Sequence, residues 1–305
     1  MATFRWRANF LIPGLPLAQP VRLGAIHVAG STRDGNRKYE STGHLIFEAD
    51  QFLFEAEARG RAAALLEPVA VAGAALGGSI GEPVVTLVNL ENRDALEAAG
   101  VRIPFEGGLL VTWTVGTADI DCASLTKGYL AVLGLGPQEA PLWHRAARWL
   151  WKSNWEADPY DQFLALWIAF NVLYGPRWTK GTNTETGTIE AYLAEAVPWE
   201  SDAKALLAGV LLEDLQLLGA SGLTLWRSKK WAIANELQAA LALPEEARSF
   251  REVIRLVCLV IYSIRCDIVH EGGVSVPKDD LRLLWSSRNV LKTVVMFLIK
   301  RRLGL

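Results

Sequence analysis

"VIRLVCLVIYSIRCDIVHEGG" occupies residues 253–273. Its reading decides the fold of the C-terminal half. Phe250, Ile254, Val257, Ile261, Ile264 and Ile268 recur at spacings of four and three. That period predicts a long helix over 245–271 whose apolar seam packs lengthwise, either in a helical bundle or against a second copy of itself. The helix then runs into Arg265, Asp267, His270 and Glu271 before the Gly272, Gly273 pair. Arg265 cannot be discharged, so it needs an anion, water or a partner chain. Arg265 and His270 are five residues apart, about 140° around an ideal helix with about 7.5 Å of rise. One straight helix does not bring them to a single point. A distortion near the glycines does, and so does a second copy across a two-fold interface. Competing structural roles are capping of the last turn by His270, pairing of Asp267 with His270, and neutralisation of a core carboxylate by Arg265.

Moving outward, the helical period continues on both sides. Asp158 followed by Pro159 is a helix start, and Phe163, Leu166, Trp167, Phe170 and Tyr174 form an apolar stripe ended by Gly175 and Pro176. Further helices are predicted at 142–156, 188–196, 201–219, 227–242 and 279–302. Residues 140–305 therefore read as an all-α bundle, and 134–141 as the linker before it.

The texture before that linker differs. Only Trp6 and Trp113 of the twelve tryptophans lie there. Short apolar runs at 21–30, 43–49, 83–90 and 107–115 read as strands, with a helix from residue 50 to at least Glu67, before Pro68, and a short helix at 93–100. Residues 1–135 are thus expected to form an α+β domain.

The 305 residues, 51% hydrophobic and 21% charged with net charge −2, are of ordinary globular composition and carry no global pull toward polyanions. Nucleic-acid contact has to come from local patches. Two segments interleave basic and aromatic residues: Arg177, Trp178 and Lys180 in one loop, and Arg227, Lys229 and Lys230 between Trp226 and Trp231. The more common role of such segments is a solvated surface. Cys122, Cys258 and Cys266 are odd in number without CxxC spacing, which points to a reducing compartment. Pro13 and Pro16 make the N-terminus a poor signal peptide, and no apolar run reaches the ~20 residues of a membrane span. The expectation is a soluble cytoplasmic protein that does not enter membranes. Asp267, His270 and Glu271 have ligand-like spacing, but His27, His44 and His144 are scattered and there is no HExxH, so no metal is expected. No cofactor loop is convincing: 134–138 lacks the strand–GxGxxG–helix context, and Ser79 does not fit a nucleophile elbow.

Two segments carry a family resemblance. "RCDIVHEG", from Arg265 through His270, matches the Rx4–6H motif of HEPN domains. "FLALWIAFNVLYG" (163–175) resembles the LWxAxNxLYG pattern frequent in the bacterial Apea-like HEPN group. The likeness covers about 140–303, and an α+β domain ahead of it is similar to two-domain anti-phage HEPN proteins. It implies a homodimer through the 245–271 helix and a metal-independent endoribonuclease, often a toxin or defence protein with an antitoxin or regulatory partner. In that scheme RNA supplies its 2′-OH as nucleophile. His270 moves the proton, Arg265 stabilises charge on phosphorus, and the product is a 2′,3′-cyclic phosphate. Asp267 orients the site, with Cys266, Asn171 and Glu271 in support. Cys266 stands where much of the family has a polar residue. The alternative is a catalytically silent HEPN protein that binds nucleic acid or nucleotide, or acts as a scaffold.

Overall fold

A computed structural model describes residues 4–34, 38–50, 53, 55–78, 80–91, 120–156, 158–177, 184–220, 231–270 and 281–305. Met1–Ala147 with Lys300–Leu305 form one unit, and Arg148–Ile299 a second. The α+β class followed by helices is as the sequence predicts.

The first unit is built on a five-stranded antiparallel sheet, ordered β2-β3-β4-β1-β5. Its strands are β1 (Phe4–Pro13), β2 (Val21–Leu23), β3 (Ile26–Asp34), β4 (Lys38–Ala49) and β5 (Val84–Leu90). β1 alternates strictly: Phe4, Trp6, Ala8, Phe10 and Ile12 are buried, while Arg5 and Arg7 face water. Trp6 sits opposite Phe47 and Leu90, so β4, β1 and β5 share one apolar face. α1 (Glu55–Ala75) packs on β1 and β5 and against α2 (Cys122–Leu133).

One expectation needs correcting here. The run 21–30 is two strands, because Gly24 adopts φ 60° and turns the chain so that Leu23 pairs with Ile26. The helix expected to reach at least Glu67 continues through Pro68 to Ala75. Pro68 removes one backbone donor, but residues 69–75 are all buried, and that packing outweighs the lost hydrogen bond. β1, where no strand was expected, lies inside the sheet between β4 and β5. The strand expected at 107–115, the helix at 93–100, and Ser79 lie outside the described residues.

The second unit is helical. It comprises the second half of α3 (Ala140–Trp155), then α4 (Pro159–Tyr174), α5 (Glu185–Ala196), α6 (Glu200–Ala208), α7 (Leu212–Ala220), α8 (Trp231–Ala242), α9 (Phe250–His270) and most of α10 (Leu281–Arg302). The single helix expected over 201–219 is two. Gly209 ends α6, with its N–H turned back to the Leu206 and Leu207 carbonyls, and α7 starts afresh at Leu212.

α9 is the central element and touches α4, α5, α6, α7 and α8. Its seam residues Ile254, Val257, Ile261, Ile264 and Ile268 are buried within this single chain. The seam is therefore bundle core. Its start is fixed from outside: the Glu200 carboxylate accepts the Phe250 and Arg251 N–H groups at 2.9 and 3.2 Å and the Ser249 hydroxyl at 2.8 Å. Among the described residues no helix is long and apolar enough to cross a membrane.

Candidate functional site

The site is assembled from α4, the first turn of α5 and the last turns of α9. α4 begins as the sequence signals: the Asp158 carboxylate accepts the Tyr160 N–H at 2.7 Å and the Asp161 N–H at 3.2 Å. Its buried stripe then brings Trp167, Phe170 and Tyr174 into edge-on ring contacts. α5 starts with Thr184, whose hydroxyl accepts the Gly187 N–H at 3.1 Å. That cap places Glu185 against the end of α4.

Asn171, Tyr174 and Glu185 form a closed hydrogen-bond network. Asn171 Nδ2 donates to the Tyr174 hydroxyl at 2.8 Å and to Glu185 Oε1 at 3.4 Å. The Tyr174 hydroxyl donates to the same carboxyl oxygen at 2.7 Å. Gly175 follows closely on it: a β-carbon there would lie 3.2 Å from Asn171 Oδ1, a tight contact. Burial and the Glu185 acceptor push the Tyr174 hydroxyl well above the usual tyrosine range, so it acts as a donor and not as a base.

α9 joins this network through Tyr262. Burial, then Cys266, then Glu185 raise its hydroxyl above the ordinary range. Its ring lies 5.8 Å from that of Trp167. Cys266, one turn further on, is half-buried and carries a free thiol. The residue that departs from the HEPN pattern is therefore tied to Tyr262.

Arg265 lies on the same face. Its guanidinium sits over Trp167 at 6.0 Å from the ring centroid. Nε is shielded from solvent and has no hydrogen-bond acceptor. Among the described residues no carboxylate pairs with this guanidinium; Glu185 is already engaged by Tyr174 and Asn171. A charge that cannot be discharged is thus held on an aromatic face with unused donors, and oxyanions suit such a position.

Asp267 is half-buried on the same helix and has an interaction of its own. His270 is the last helical residue of α9, and the helix is unbroken from Arg265 to it. The backbone positions 265 and 270 accordingly stand about 140° apart around the axis. The His270 side chain and Glu271 lie outside the described residues, as do Lys180, Arg227, Lys229, Lys230 and the Arg177 side chain. Among the described residues no group of three or more His, Cys, Asp or Glu side chains is placed to hold a metal ion.

Sequence reasoning did not single out Trp167, Tyr174, Glu185 or Tyr262 as site residues. Two of them were counted as apolar stripe. The signal was present: a tyrosine hydroxyl inside a buried stripe requires a partner, and Glu185 is the nearest acid after the turn. No protein-family model matches this sequence, and no curated protein and no solved structure matches it either.

Proposed function

We propose that this protein is a metal-independent endoribonuclease of HEPN type. Cleavage proceeds by attack of the RNA 2′-OH, with His270 as proton carrier and Arg265 as the phosphate-charge stabiliser. Asp267 orients the pair, and Asn171, Tyr174, Glu185, Tyr262 and Cys266 brace the helix that presents them. The observation that carries this reading is Arg265, a half-buried guanidinium with no acceptor of its own among the described residues. A guanidinium serving only the fold brings its anion with it.

The roughly 140° between positions 265 and 270 favours a composite site completed by a second copy. Because the Ile seam of α9 is occupied by the chain's own core, that dimer uses another face of the 245–271 helix, where Val269 is 47% exposed. A toxin or defence role, with an antitoxin or other regulator, belongs to the same proposal. The deciding experiment incubates labelled total RNA and tRNA with EDTA and wild-type, Arg265→Ala or His270→Ala protein, beside a sedimentation measurement of mass. Cleavage by wild type alone, leaving cyclic-phosphate ends, and a dimeric mass are expected. RNA affinity without cleavage points instead to the nucleic-acid-binding alternative. A monomer at micromolar concentration refutes the composite site.

A further inference from the structure

A second group of cations lies away from the Rx4–6H segment, on α10 and the end of α3. Arg288 and Lys292 are one turn apart on α10, a like-charge spacing that costs stability unless something offsets it. Lys292 Nζ donates to Asn154 Oδ1 at 2.9 Å. The Arg288 guanidinium rests over Trp285, 4.8 Å from the ring centroid, and Trp285 is itself 39% exposed. Arg288 Nε and Asn154 Nδ2 are both shielded from solvent without a hydrogen-bond acceptor.

Among the described residues no carboxylate pairs with Arg288 or Lys292. Asp214, on α7, accepts from Ser286 at 2.5 Å and Asn289 at 3.5 Å. Glu156 pairs with Lys152 at 3.4 Å. Among the described residues, then, the Lys292 ammonium has Asn154 Oδ1 as its acceptor, while Arg288 Nε, one turn away along α10, and Asn154 Nδ2 have none. Half-buried cations and orphaned donors of this kind are costly, and each is relieved by an oxyanion.

We propose that Asn154, Arg288 and Lys292 form a binding site for a phosphate group. Phosphate fits the three donors together: a point charge from Lys292, the planar fork of Arg288, and an amide N–H from Asn154. Carboxylate offers only two oxygens in one plane. The exposed Trp285 and the half-buried Arg288 mark the open side, through which a phosphate ester can enter while its remainder stays outside. Burial, and then the Arg288 charge, push Lys292 down to about 8, a shift that a bound anion reverses.

The test is thermal unfolding of the full chain in phosphate-free buffer at constant ionic strength. Inorganic phosphate is titrated in against chloride, with isothermal titration calorimetry as the direct measurement. Wild type is expected to gain about 3–6 °C, saturably, at roughly ten times the dissociation constant. Lys292→Met and Arg288→Met are expected to lose at least tenfold in affinity. Lys292→Met should melt at or above wild type without phosphate, since it removes an unpaired charge. Asn154→Asp supplies the missing anion internally, so it should raise the phosphate-free melting temperature and also weaken phosphate binding at least tenfold. Parallel titrations with adenosine monophosphate and with a short RNA lacking terminal phosphates identify the source, a small phosphate monoester or an RNA backbone. The proposal is overturned if wild type shows no saturable response to any of the three, or if Lys292→Met and Asn154→Asp respond as wild type does.

Discussion

Arg255 and Arg265 stand on the same helix and are handled in opposite ways. Arg255 is clamped: it donates to both Glu252 oxygens at 2.8 and 2.6 Å and to Glu190 at 2.6 Å, with Glu236 at 3.9 Å. Those carboxylates raise its already high pKa further. Arg265, two to three turns on, has an indole face and no carboxylate among the described residues. The acid nearest in the network, Glu185, is taken up by Tyr174 and Asn171. The contrast separates two uses of one side chain. An arginine that holds helices together carries its counter-charges within the chain, whereas one left with open donors is available to an anion from outside. Arg288 and Lys292 fall on the Arg265 side of that division.

The strongest way to break the comparison is to delete each arginine in turn. Arg265→Ala is expected to lower RNA cleavage by about 10²–10³-fold, the usual loss of one charge-stabilising donor set, while the melting temperature stays close to wild type. Arg255→Ala should do the reverse, leaving cleavage per folded molecule unchanged and weakening the fold. If Arg265→Ala instead unfolds the protein while cleavage per folded molecule persists, the division fails.

Glu185→Ala is next in size. It leaves the buried Tyr174 hydroxyl without an acceptor, while Asn171 keeps its bond to that hydroxyl, so urea unfolding should show a loss of about 1–3 kcal/mol. Tyr174→Phe, which leaves Asn171 and Tyr262 on the carboxyl group, should cost about 1 kcal/mol.

Removing the surface clamps is milder. Arg255→Ala should cost about 1 kcal/mol, because a third of the side chain is exposed and solvent screens the pairs. Glu200→Ala removes the acceptor at the start of α9 and should cost about 0.5–1 kcal/mol, visible as a lower urea midpoint with an unchanged slope.

The smallest expected effect is a pH slope. Lys292 is lowered from 10.5 to about 8 in the folded chain. Between those values the unfolded chain binds a proton that the folded chain does not, so stability rises with pH over about 8 to 10.5 and is flat on either side. The slope stays below about 1.4 kcal/mol per pH unit, the limit for one proton, and Lys292→Met should abolish it. Arg255 contributes no such slope, because guanidinium keeps its charge in both states.

Legibility differed between elements for identifiable reasons. α4 and α9 were readable because their apolar residues recur at helical spacing and because Asp158, Pro159 and Gly175 are local signals that act through neighbouring backbone groups. β1 was less so. Its alternation from Phe4 to Ile12 is clear once it has neighbours on both sides, but the prolines around it hid an interior strand. The hairpin at Gly24 was lost because the apolar pattern runs straight through the turn. The break at Gly209 was lost because Leu206, Leu207, Val210, Leu211 and Leu215 keep a helical spacing across it. In the site, Arg265 and His270 were visible as ionisable residues after an apolar run. Glu185 was not, since an acid in the first turn of a helix ordinarily serves the dipole and faces water.

By itself the sequence determined the helical texture of the second half, the ends of α4 and the presence of an undischargeable cation at position 265. These depend on residue type and on spacing along one element, so they are local. Only the tertiary structure decided which charges are paired. It turned the Ile seam of α9 into core, gave Arg255 its acids, spent Glu185 on Tyr174 and Asn171, and left Arg265 and Lys292 without a carboxylate among the described residues. Charge compensation acts over a few ångströms between side chains far apart in the chain, and no local pattern records it.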